Sequence, residues 1–149
     1  MPSERKLRTA ALVLALVGVA ISAYIAIAEA NEGAPVCVAG SGGCEQVADS
    51  EYSELLGVNV AVIGIGGYLI LAAAALVPGD TGRFTGLLAS VFGFGFSAYL
   101  TYLEFFEIEA VCQWCVASAV TMTLLLGANL ARAWEYLGAT TEAGAEPPV

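Results

Sequence analysis

The chain has 149 residues, 58% of them hydrophobic and 13% charged, with a net charge of −9 and no histidine. Such a composition is too apolar for a soluble domain, too short for several domains and too acidic to suggest a nucleic-acid partner. It reads as one small, all-α integral membrane unit.

Four apolar runs, at residues 7–28, 58–77, 84–103 and 113–133, each supply roughly the 20 residues needed to cross about 30 Å of hydrocarbon. They predict a four-helix transmembrane bundle over residues 1–137. Lipid is as apolar as leucine, so the helices must associate by close packing, and Gly64, Gly67, Gly93 and Gly95 are expected where they meet. The five basic residues, Arg5, Lys6, Arg8, Arg83 and Arg132, fall on the side shared by the N-terminus, the second turn and the C-terminus. By the positive-inside bias that side is cytoplasmic. The outer side then receives Glu29, Glu32, Glu45, Asp49, Glu51, Glu54, Glu104, Glu107 and Glu109, together with all four cysteines. Thiols on that side of a plasma membrane can be held as disulfides.

The first run, with Ala26-Ile27-Ala28 before Glu29, resembles a secretory signal, but it exceeds the usual core of about 7–15 residues and is expected to be retained as a helix. Ser22 and Tyr24 near its outer end either face the bundle or anchor it at the interface. Residues 29–57 form the long outer loop, rich in Gly and free of basic residues, and loops of that length usually work. Cys37 and Cys44 bracket its Gly-rich arm. Closing so short a loop would constrain the unfolded chain by only about 2.5 kcal/mol, which suits an exchangeable bond better than a structural one. Val47, Leu55 and Leu56 among acids predict a short helix on the membrane surface. Pro78-Gly79-Asp80-Thr81-Gly82 is a stop signal that makes the second and third helices antiparallel neighbours. The tail, 138–149, is small, polar and proline-ended, and is predicted to be disordered and cytoplasmic.

The chemistry concentrates in Cys112-Gln113-Trp114-Cys115 at the mouth of the last helix. Positions three apart on a helix have Cβ atoms about 5–6 Å apart, and a disulfide needs about 3.5–4.5 Å, so a slightly loosened first turn can close it. Cys115 lies roughly 4.5 Å deeper than Cys112, which turns one sulfur toward water and the other toward lipid. Helix N-terminal N–H groups favour the thiolate; Glu107 and Glu109 oppose it, but solvent screens them. A zinc site is not expected, because only one pair has ligand spacing and there is no histidine. The non-enzymatic alternative is a disulfide-stapled membrane scaffold.

Taken together, Cys37 with Gly40-Ser41-Gly42-Gly43-Cys44-Glu45-Gln46-Val47, then Ser50-Glu51-Tyr52-Ser53, Leu56-Gly57-Val58, Gly64, Gly67-Tyr68 and Cys112-Gln113-Trp114-Cys115, resemble the vitamin K epoxide reductase family over nearly the whole chain. The likeness is to its prokaryotic, quinone-coupled, disulfide-generating members. The resemblance implies that Cys112 and Cys115 are the active-site pair, with Cys115 meeting the quinone. It implies also that Cys44 exchanges with Cys112, and that Cys37 forms the mixed disulfide with a thioredoxin-fold partner. The cofactor implied is a membrane quinone of the ubiquinone, menaquinone or phylloquinone type. Many relatives carry a fused thioredoxin-like domain, whereas this chain ends at Val149, so a separate partner is expected. Flow toward a quinone or quinone-epoxide product is the alternative direction. The animal pattern has an asparagine where this chain has Val60, with Asn59 one residue earlier, and a tyrosine where it has Ala119. Asn59, Tyr99 and Tyr102 are the candidate quinone ligands in their place.

Overall fold

In the computed structural model, residues 2–31, 33, 35–36 and 43–145 are described. Each apolar run folds as a helix. The order is α1 (Pro2–Ala30), α2 (Gly43–Ala48), a 3-10 turn (Glu51–Ser53), strands β1 (Glu54–Leu55) and β2 (Val58–Asn59), α3 (Val60–Leu76), α4 (Asp80–Tyr102), a π-helical turn (Leu103–Glu107) and α5 (Gln113–Ala145). Three of these helices are long and apolar enough to cross a membrane, over Glu4–Ala30, Asp80–Glu107 and Gln113–Glu142. The fourth, α3, is apolar but has 17 residues, about 25 Å at 1.5 Å per residue.

The long helices close a ring in which α1 packs on α3 and α5, and α4 packs on the same two. The interior is built largely of small side chains, Ala11, Ala15, Ala72 and Ala75, around Tyr68, Leu71, Met122 and Leu125. The outer faces carry the large apolar residues, with Phe92 78% exposed. That inversion is what a lipid-facing bundle requires, since only close approach of backbones holds its helices together. At Gly18 an added Cβ would lie 2.2 Å from the Tyr68 ring, and at Gly93 2.7 Å from Met122. Gly64 and Gly93 therefore stand at helix contacts as expected, whereas Gly67 and Gly95 face open space.

The basic residues gather at one end. The Arg8 guanidinium donates to the carbonyls of Ala75 and Leu76 at 3.1 Å, satisfying the C-terminus of α3 with a cation. Glu4 receives Arg83 at 3.6 Å and the buried Arg132 at 3.5 Å, and Arg132 also donates to Asn129. These contacts bind the start of α1 to α4 and α5, so α1 runs antiparallel to α3 and to α5.

Two segments depart from expectation. The surface helix expected around Val47, Leu55 and Leu56 is instead α2 followed by a hairpin, pairing Leu55 with Val58 across Leu56-Gly57. Both turn residues have positive φ, 55° and 82°, as a two-residue hairpin of this hand demands; Leu56 projects from it 98% exposed. The tail expected to be disordered from Gly138 continues α5 to Ala145. There Thr140 and Thr141 return their hydroxyls to the Leu137 carbonyl, and alanines favour the helix. Residues 146–149 lie outside the described residues.

Candidate active site

α4 does not run straight into its connection. The Ile108 N–H reaches back five residues to the Leu103 carbonyl at 2.8 Å, opening a π turn, and Ala110 N–H bonds the Glu104 carbonyl at 3.0 Å. This turn delivers the chain to Cys112, whose carbonyl accepts Val116 N–H at 3.0 Å. Cys112 is thus the N-cap of α5 and Cys115 lies in its first turn, the placement the spacing predicted.

Both are free thiols, and they face different surroundings. Cys112 is 2% exposed, and its thiol is lowered from the usual value near 9 to about 7. The largest cause is the hydrogen bond that Cys115 S–H donates to it; the backbone N–H groups of Cys115 and Trp114 add to this, while burial and the Glu104 charge oppose it. A sulfur capping a helix N-terminus is favoured as thiolate for the reason an N-cap carboxylate is. Cys115 instead lines a cavity of about 450 Å³ enclosed by α1, α3, α4 and α5 and roofed by residues 47–59. That volume is in the range of small-molecule sites. Ile70 and Phe92 belong both to its wall and to the outer surface, so it reaches the outside between α3 and α4.

Cys44 is 2% exposed and disulfide-bonded, while Cys37 lies outside the described residues. An added Cβ at Gly43 would fall 2.2 Å from the Val111 carbonyl oxygen. The residue before Cys44 therefore lies directly on the residue before Cys112, and only glycine allows that approach. The segment leading to Cys37 is held too: Trp114 Nε1–H donates to the Val36 carbonyl at 2.8 Å, and Val36 N–H donates to the Tyr24 hydroxyl at 3.1 Å. The two rings stand 4.8 Å apart. Tyr24, weighed above as a possible anchor, clamps the loop onto the Cys112–Cys115 turn.

Of the candidate quinone ligands, Asn59 lines the cavity, but its Oδ1 accepts Ala61 N–H at 2.7 Å as the cap of α3 and its Nδ2 donates to Glu29. Tyr99 and Tyr102 are both about half exposed and form no part of the wall. Their positions on α4 turn them outward, Tyr102 against Phe106. The residues missed are Tyr68 and Glu104. Tyr68 O–H donates to the Ser118 carbonyl at 2.8 Å and shares a second 2.8 Å bond with the Ser118 hydroxyl, beside Ala119 and one turn from Cys115. Its place among cavity residues depends on Gly18 and on the α3–α5 distance, neither of which periodicity reveals. Among the described residues no cluster of three or more metal-ligating side chains forms.

A dithiol with one sulfur on an apolar cavity and the other buried against a disulfide-bearing loop, inside a bundle of apolar helices, defines a thiol-redox protein of the membrane. Residues 9–130 match the model of the Vitamin K epoxide reductase family, well over half of the chain, and the protein belongs to that family. Membership makes it an oxidoreductase of a family associated in general with quinones and with thioredoxin-like partners.

Proposed function

We propose that the protein generates disulfides, passing electrons from a separate thioredoxin-fold partner through Cys37 and Cys44, then Cys112 and Cys115, to a membrane quinone. The observation that carries this reading is the division of the active pair: Cys115 lines the cavity while Cys112 lies against the segment bearing Cys44. α3 serves as a fourth, short span beside the three longer helices, its 17 residues at the lower limit of about 17–25 for a crossing. The basic end then faces the cytoplasm, and the cysteines face the oxidising side of the plasma membrane.

Each step is thiolate attack on a disulfide. A reduced partner attacks Cys37 of the Cys37–Cys44 bond, and the freed Cys44 attacks Cys112 of the Cys112–Cys115 bond, releasing Cys115. The partner's second thiol releases Cys37 and leaves the partner oxidised. Cys37 then attacks Cys44 and expels Cys112. The lowered thiol of Cys112 makes it a good leaving group for that last step, since exchange is faster when the departing thiolate is the more stable one. The exchange ends with Cys37 bonded to Cys44 and with Cys112 and Cys115 reduced.

The cavity fits a quinone head group in size and in its mostly apolar wall, with the hydrogen-bonded hydroxyls of Tyr68 and Ser118 on the same wall as Cys115. Turning either O–H inward supplies a donor to a carbonyl in place of the one Ala119 lacks. A bound quinone supplies a two-electron, two-proton sink. Its lateral route of entry is the gap bounded by Ile70 and Phe92. The test is Cys115→Ala with dithiothreitol as donor and a short-chain ubiquinone as acceptor. Quinol formation is expected to stop; an undiminished rate would sink the assignment, and a protein whose four cysteines stay oxidised in cells without turnover would be a scaffold.

A further inference from the structure

Glu104 takes no part in disulfide exchange, yet its side chain is one of the most enclosed polar groups, 4% exposed. A carboxylate in an apolar bundle is costly unless paired, and no cation pairs it, because the basic residues lie at the opposite end and the chain has no histidine. What it adjoins are the reacting residues. Cys112 N–H donates to its Oε2 at 3.3 Å, and it shares the cavity wall with Cys115. The π turn accomplishes this: it rotates Glu104 inward while Phe105 and Phe106 face out. Such turns recur at functional sites.

The other titratable groups on the cavity wall offer no substitute. Glu29 on α1 is engaged by Asn59, and Tyr52 on the loop and Tyr68 on α3 are phenols, whose ordinary value is near 10. Among the described wall residues, Glu104 is the carboxylate in contact with a cysteine.

We propose that Glu104 is the catalytic proton acceptor for Cys115, taking the thiol proton as that sulfur is oxidised and passing it to the reduced quinone. The inference rests on the quinone-linked reading of the cavity. Cys112 enters as thiolate and Cys115 as thiol. The Cys115 S–H bond breaks, the Sγ–Sγ bond forms, and two electrons leave for the quinone. One proton reaches the quinol through Glu104, and the second comes from solvent, matching the proton Cys112 released there earlier.

Glu104→Gln keeps shape and hydrogen bonding but cannot take a proton, whereas Glu104→Asp keeps the acid. Two readouts test the idea. Without quinone, in a Cys112→Ala background where Glu104 is the acceptor left to Cys115, the infrared S–H stretch of Cys115 should move to higher frequency on Glu104→Gln, as the stronger acceptor is lost. With a short-chain ubiquinone in single turnover, quinol formation should fall by about 10²–10⁴-fold and lose its dependence on pH, while exchange between Cys44 and Cys112 continues. Glu104→Asp should retain activity within about tenfold, and it carries the test if the glutamine variant does not fold. A wild-type rate and pH profile in Glu104→Gln, or an unmoved S–H band, would overturn the proposal. Failure of the wild-type protein itself to reduce quinone would instead overturn the reading on which it rests, and the infrared band would still decide whether Glu104 accepts from Cys115.

Discussion

Replacing Cys115 with alanine removes the largest of the interactions that hold Cys112 as a thiolate. Cys112 is lowered from near 9 to about 7, and two units correspond to about 2.7 kcal/mol of preference for the charged form. At pH 7.4 that leaves about 70% of Cys112 as thiolate, against roughly 2–3% for an unperturbed thiol, a factor of ~30 in reactive species. Chloroacetamide labelling of the reduced protein as a function of pH, followed by mass spectrometry of the peptide bearing Cys112, reads the midpoint directly. Wild type should show it at about 7. Cys115→Ala should move it up toward 9 without reaching it, because the Trp114 N–H and the backbone of residue 115 still cap the sulfur. Stability must follow with a defined sign. A thiol lowered on folding stabilises the protein fully above its unfolded value near 9, and loses that contribution as pH falls through about 7. The reduced wild type should therefore gain stability between those values, and the variant should gain less. A wild-type midpoint already near 9, or one that Cys115→Ala leaves in place, would refute this account of the helix mouth.

Four further substitutions separate the parts of the site. Gly18→Ala places a methyl where the Tyr68 ring stands and should cost about 1–3 kcal/mol in detergent unfolding, while Gly67→Ala, in open space, should stay within about 0.5 kcal/mol. Trp114→Phe keeps the ring against Tyr24 but loses the 2.8 Å bond to Val36, worth about 0.5–1.5 kcal/mol. Trapping kinetics should show transfer between the loop and Cys112 slowed about 3–10-fold, with quinone reduction by the reduced pair unaffected. Tyr68→Phe removes a hydroxyl from the cavity and should raise the KM for quinone about 3–10-fold at nearly constant kcat in a steady-state quinol assay.

The helices and the dithiol at the mouth of α5 were legible in the chain because both are local patterns. Apolar runs marked α1, α3, α4 and α5, and Cys112 and Cys115 declared themselves by spacing. What lies between them was not legible, for identifiable physical reasons. Glu104, beside two phenylalanines and near Glu107 and Glu109, reads as part of an acidic rim, and only the extra residue of the π turn brings it inside. Tyr99 and Tyr102 were the obvious tyrosines by depth, but side-chain direction on α4 turns them outward; Tyr68 points inward because Gly18 leaves it room. Val36, Tyr24 and Trp114 are far apart in sequence, and their clamp has no periodic signature. Helix ends were misjudged where polar but helix-favouring residues continue a span, as in α5 beyond Gly138.

The relay from the loop to the cavity is tested most directly by removing its last sulfur and reading which bond accumulates. In a Cys115→Ala protein that also carries Cys37→Ala, so that Cys37 cannot expel Cys112 from Cys44, mild oxidation followed by non-reducing digestion and mass spectrometry should recover the peptide carrying Cys44 joined to the peptide carrying Cys112. An unbonded Cys112 in that protein, or a Cys37–Cys112 link that forms equally well when Cys44 is replaced instead of Cys37, would contradict the proposed path.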